Sequence, residues 1–147
     1  MTAITVVADP LAYQVLRTAS AQANTGQTDW VSVPAWAQSV TLYFNITASG
    51  GTTPGPVTFA IKSADPVLRD DGTAVTYVTS ASITTLTTYH ELQLGPTLVT
   101  ANNDSSTANG FKVQNSPLPA LLGATVTLDR TNADETYTYT LAIQFHK

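Results

Sequence analysis

The stretch Ser39-Val-Thr-Leu-Tyr-Phe-Asn-Ile-Thr47 decides how this chain is read. Val40, Leu42, Phe44 and Ile46 hold every second position, with Ser39, Thr41, Tyr43, Asn45 and Thr47 between them. Successive side chains of a strand point to opposite faces, so this pattern buries one face and leaves the other polar. Most of the remaining chain reads as further copies of the same kind of strand.

Toward the C-terminus, Gly50-Gly51-Thr-Thr-Pro54-Gly55-Pro56 is a hairpin-type loop of strong breakers. Val57, Phe59 and Ile61 then alternate into a second strand, which Asp65-Pro66 ends. The turn Leu68-Arg-Asp-Asp-Gly-Thr73 leads to a strand over residues 75–79 and another over 86–94, clearest at Leu92 and Leu94 and closed by Gly95-Pro96. A polar loop over 101–107 precedes the short strand Phe111-Lys-Val113, and Ser116-Pro-Leu-Pro119 is a rigid connection to a strand over 124–129. After the turn Thr131-Asn-Ala-Asp134, the last strand sets Tyr137, Tyr139, Leu141, Ile143 and Phe145 on one face, and Thr136, Thr138, Thr140 and Gln144 on the other.

Toward the N-terminus, Trp30-Val-Ser-Val33 is a short strand whose ladder Pro34 limits. The first 28 residues are the least regular, alternating only roughly at Leu11, Tyr13 and Val15. They are expected to form an arm, residues 1–28, with one or two short strands, ahead of a sandwich domain over residues 29–147. The fold expected is all-β: an antiparallel two-sheet sandwich of about seven to nine strands, with jelly-roll and immunoglobulin-like topologies both open.

Composition narrows the function. Charged residues make up 11% of the chain, less than half the roughly 25% of an average globular protein, and 26 threonines take their place. Threonine is β-branched, suits strands and keeps a solvent face wet without charge. The net charge of −4 comes with six scattered cations, Arg17, Lys62, Arg69, Lys112, Arg130 and Lys147, so no basic cluster follows a phosphate backbone and nucleic acid is not an expected partner. No apolar run approaches the roughly 18 to 20 residues of a membrane span, so no membrane partner is expected. With no cysteine, neither a disulfide framework nor a thiolate metal site can form. The first ten residues lack the basic and apolar segments of a signal peptide, so synthesis in a cytoplasm is expected.

Nothing in the chain nominates an active site. A nucleophilic triad needs a base within hydrogen-bond reach of its nucleophile. Of the two histidines, His146 sits on the polar face of the last strand, and His90 and Glu91 point to opposite faces, so structural roles are expected for both. Asp65, Asp70 and Asp71 match no EF-hand spacing and read as turn formers rather than calcium ligands. The ten acids offer no particular pair for glycoside hydrolysis. Asn45-Ile-Thr47 and Asn103-Asp-Ser105 match the glycosylation pattern and are discounted for want of a secretory signal. The expectation is therefore no enzyme, no catalytic residue, no metal and no cofactor. Trp30 reads as a core or edge residue beside Pro34, and Trp36, in a turn, as an equally good core plug or contact anchor. The candidate partner contacts are Tyr13 and Arg17 from the arm, Trp36 from the turn, and Thr53 and Pro54 from the glycine-proline loop.

Three segments together resemble a family of small β proteins from tailed bacteriophage virions. The first is Ser39-Val-Thr-Leu-Tyr-Phe-Asn-Ile-Thr-Ala48 with its loop, Val57-Thr-Phe-Ala-Ile-Lys62 and Ser63-Ala-Asp-Pro66. The second is the strand end Leu92-Gln-Leu-Gly-Pro96, and the third is Leu118-Pro119 followed by Ala124-Thr-Val-Thr-Leu-Asp129 and Thr136-Tyr-Thr-Tyr-Thr140. The likeness spans residues 29–146 and is one of strand order and turns. Ala120-Leu-Leu-Gly123 departs from the Arg-Trp-Arg type of sequence associated with the family after Leu-Pro, and Gly95-Pro96 lacks a second glycine. The resemblance implies a head decoration (cement) protein, bound in many copies to the capsid exterior and clamping its subunits. Its implied partners are the major capsid protein and itself, as a homo-oligomer, often a trimer among such proteins. The first segment would then order as an arm over a neighbour. The alternative is a tail or surface-appendage module that recognises a host glycan, suggested by Trp30, Trp36 and the tyrosines.

Overall fold

A computed structural model describes residues 6–7, 13–28, 30–64 and 74–147. Among these it is all-β, with twelve strands: β1 (Val6–Val7), β2 (Tyr13–Gln22), β3 (Gly26–Gln27), β4 (Trp30–Ser32), β5 (Ser39–Gly50), β6 (Val57–Ala64), β7 (Ala74–Thr79), β8 (Tyr89–Gly95), β9 (Ala101–Asn102), β10 (Gly110–Asn115), β11 (Leu121–Leu128) and β12 (Thr136–His146). The count exceeds the expected seven to nine because β1, β3 and β9 are two-residue pairings too short to show an alternation. The turn carrying Asp65, Asp70 and Asp71 lies outside the described residues.

The strands form two sheets. One runs β1-β4-β11-β6-β7, with β3 also paired to β11, and the other runs β2-β12-β5-β8-β10-β9. Most pairings are antiparallel, as expected, but β1 with β4 and β8 with β10 are parallel. The second departure has a visible cause. Residues 96–109 return the chain to the opposite end of the sheet before β10 begins, the long crossover that a parallel pair requires. Two strand limits also shift. Residues 86–88 are irregular, with Leu86 buried as a loop anchor, and β11 starts at Leu121 rather than 124. Of the segment expected as an arm, residues 13–22 form a ten-residue edge strand of the second sheet, in register with β12.

The alternation in β5 sets the core. Val40, Leu42, Phe44 and Ile46 are all buried, and β12 answers from the adjacent strand with Tyr137, Tyr139, Leu141, Ile143 and Phe145. Phe59 of β6 reaches across from the other sheet to stack on Phe44, with centroids 4.4 Å apart and planes 17° from parallel, and Tyr139 closes the cluster 5.2 Å from Phe44. Each such fully buried side chain contributes about 1.5–3 kcal/mol relative to exposure. Trp30 is buried in β4, in keeping with a core role.

The loops gather at two poles. Loops 33–38, 96–100 and 116–120 meet at one, where the Gln38 amide donates to the His146 carbonyl (2.8 Å), that of Val33 to Ala120 (2.9 Å) and that of Ser116 to Gly95 (3.0 Å). Residues 51–56 and 129–135 interlock at the other, where the Asp129 amide donates to the Pro56 carbonyl (3.0 Å).

Candidate functional site

The register of the second sheet produces a surface that no single segment announces. Val15 pairs with Ala142, Ala142 with Tyr43, Tyr43 with Glu91 and Glu91 with Phe111, so these five residues form one row across β2, β12, β5, β8 and β10. Paired residues share a face, and here it is the outer one, since Val40, Leu42, Phe44, His90 and Leu92 fill the inner face. Tyr13 and Tyr89 flank the row on the same side.

Three tyrosines dominate this face. Tyr43 lies between the other two, its ring centroid 6.5 Å from Tyr13 at an interplanar angle of 49° and 6.3 Å from Tyr89 at 25°. They line an open depression of about 390 Å³, completed by Asn45, Thr140 and Ala142. Two of the rings are held from their far ends. The Tyr43 hydroxyl donates to Gln144 Oε1 (2.7 Å), and the Tyr89 hydroxyl donates to Glu91 Oε1 (2.6 Å). Burial pushes the Tyr43 phenol up, and the Glu91 charge adds to the effect. The same two causes, together with the hydrogen bond to Glu91, push Tyr89 up further. Both rings are therefore neutral, fixed platforms at ordinary pH.

A second open depression, of about 440 Å³, lies along β2 and includes Arg17, Ser20, Gln22 and Thr28. Arg17 Nη1 donates to Gln22 Oε1 (2.9 Å), and the guanidinium lies 5.9 Å from the Tyr139 ring centroid.

The five residues singled out from the sequence fall in four places. Tyr13, 52% exposed, is at the tyrosine depression, and Arg17 lines the second depression, paired with inward-facing Leu141. Trp36, 42% exposed, stands at the first pole with the Lys147 ammonium 5.8 Å from its ring centroid. Val99, 86% exposed, stands at the same pole, together with Pro34, Pro96, Pro117 and Pro119. Thr53 and Pro54 are at the opposite pole, so they form no common site with Trp36. There the Thr131 hydroxyl sits between the Thr53 carbonyl oxygen (2.7 Å) and Glu135 Oε1 (2.6 Å), and the Thr52 hydroxyl donates to Asp134 Oδ2 (2.7 Å). Burial alone would raise the Glu135 carboxyl, but hydrogen bonds from Thr131 and Asn132 outweigh it and hold it at about 2. This pole is a stapled loop pair.

His90 is fully buried, with Nδ1 2.7 Å from Asp104 Oδ1 and Nε2 2.9 Å from Thr88 Oγ1. The order Thr-His-Asp has the outline of a nucleophilic triad. The Thr88 hydroxyl, however, is itself buried and donates to the Thr85 carbonyl (3.0 Å), so in this arrangement it is sealed into the core. Asp104 also accepts from the Ala81 and Ser105 amides, which makes it the clasp of loop 103–109. His146 bonds Thr41 Oγ1 at 2.9 Å on the outer face. Among the described residues no three His, Asp or Glu side chains converge on a point that could hold a metal ion, and no helix is long and apolar enough to cross a membrane.

The sequence reading missed Tyr43, Tyr89, Val99 and Phe111. The outward parity of Tyr43 and Tyr89 was available from their buried neighbours, but their adjacency needed the register. No protein-family model, curated protein or solved structure matches this chain.

Proposed function

We propose that this chain is a structural virion protein of the head-decoration (cement) type. It binds the outer surface of a capsid in many copies, as a homo-oligomer, and stabilises the lattice by bridging major capsid protein subunits. The observation that carries this reading is the pole where Trp36 and Val99 stand exposed among four prolines. Exposed tryptophan on a rigid support is the usual anchor of a protein interface, and prolines reduce the ordering entropy that docking costs. The weakly charged surface adds to this, because little charge must be desolvated when copies pack on a lattice. The resemblance over residues 29–146 supplies the capsid as the partner. The test is co-sedimentation of the purified chain with undecorated capsid shells. Trp36→Ala should weaken binding by about thirtyfold, the equivalent of a 2 kcal/mol hot spot. Undiminished binding by both Trp36→Ala and Val99→Asp would remove this pole from the account. A second reading, a glycan-recognition module of a tail or surface appendage, is favoured by one observation only, the tyrosine depression.

A further inference from the structure

We propose that the depression between Tyr13, Tyr43 and Tyr89 is a subsite for a neutral oligosaccharide, whose pyranose rings lie with their carbon–hydrogen faces on the tyrosines. The inference stands apart from the capsid reading, since the depression is on the flank of the second sheet and Trp36 is at a pole.

Shape comes first. The three rings follow one another along the depression, and their two centroid separations, 6.5 and 6.3 Å, give an aromatic lining long enough for two or three sugar rings. At about 390 Å³ the depression falls within the range of small-ligand sites. The bonds from Tyr43 to Gln144 and from Tyr89 to Glu91 fix the two rings before any ligand arrives, which reduces the entropy lost on binding.

Polar chemistry selects the ligand. Asn45 is exposed at the floor, and Thr140 is beside it, so an amide and a hydroxyl are offered to a ligand that both donates and accepts. The two tyrosine hydroxyls commit their protons to these hydrogen bonds and keep lone pairs for sugar hydroxyls. Among the described residues no cation lines the depression, and Glu91 places a negative charge beside it, so anionic sugars and phosphates are disfavoured. A quaternary ammonium is the other ligand that aromatic rings attract, but it needs ring faces turned toward one centre. Tyr43 and Tyr89 are only 25° from parallel and Tyr13 is tilted by 49° to Tyr43, so the three rings do not close around one centre. A neutral sugar fits both the rings and the free polar groups.

The test is an NMR titration of the folded chain with chitotriose, cellotriose and maltotriose, with trigalacturonate and tetramethylammonium as charged probes. At least one neutral trisaccharide should shift the resonances of Tyr13, Asn45, Tyr89 and Thr140 saturably. Tyr89→Ala and Tyr13→Ala, both at exposed positions, should each weaken that binding about tenfold with the spectrum otherwise unchanged. Tyr43→Phe should retain it, because stacking survives the loss of the hydroxyl. Absence of a shift with all three neutral probes, equal or tighter binding of either charged probe, or full binding by both alanine variants would overturn the proposal. Capsid co-sedimentation of the same variants should be unaltered, so that failure of one reading is visible separately from failure of the other.

Discussion

Replacing Asp104 by alanine should be among the most damaging single changes outside the apolar core. Its carboxylate accepts from His90 Nδ1 at 2.7 Å, from the Ser105 amide at 3.0 Å and from the Ala81 amide. The pair is dry, with side-chain exposures of 0% for His90 and 3% for Asp104. Hydrogen bonds to a charged group are worth about 1.5–3 kcal/mol each, and removing one member of a buried pair costs about 3–5 kcal/mol because the other is left unpaired. These contributions overlap, so a loss of about 4 kcal/mol is expected for Asp104→Ala. Asp104→Asn should cost about half as much, since one amide nitrogen must then face either the imidazole or the Ala81 amide. The assay is urea unfolding followed by the fluorescence of buried Trp30. With a slope of about 2 kcal/mol/M, the midpoint for Asp104→Ala should fall by about 2 M. A loss below about 1 kcal/mol with an unchanged slope would refute the view that this residue clasps the loop to β8.

Other perturbations probe the second pole and the core. Glu135 titrates at about 2 in the folded chain against an ordinary 4.5, so the charged form stabilises the fold. That contribution is complete above about pH 4.5 and is lost as the pH falls toward 2; Glu135→Gln should therefore narrow its stability deficit across this window, as read by thermal unfolding at successive pH values. A Cβ at Gly55 would lie 1.8 Å from the Asp129 carbonyl oxygen, a backbone atom, so Gly55→Ala should cost about 2–3 kcal/mol by urea unfolding. The Tyr139 hydroxyl is buried without a hydrogen-bond partner among the described residues, so Tyr139→Phe should leave stability unchanged or raise it by up to about 1 kcal/mol.

How much of this was legible differs by element. β5 and β12 could be read nearly residue by residue, because period-two burial is written into the order of their side chains. Thr41 is an instructive exception. It has outward parity, yet it is buried, because His146 of the neighbouring strand covers it. Residues 13–22 looked irregular because an edge strand with one covered face and a register shift near Arg17 carries only a weak alternation. The buried partnership of His90 was half visible. Its parity with Leu92 and Leu94 implies burial, and a buried histidine demands a partner, but which polar loop would supply Asp104 depends on the parallel crossover. The tyrosine depression was the least legible feature. It joins residues 13, 43 and 89 through the pairing order of four strands, and that order is a property of the whole sheet.

The central claim is that this chain is a component of a capsid lattice, and stoichiometry tests it most directly. Quantitative mass spectrometry of purified virions should find it in a fixed, lattice-scale ratio to the major capsid protein, on particles that lose stability when it is stripped. A handful of copies per particle, or copies that purify with isolated tails, would contradict the account.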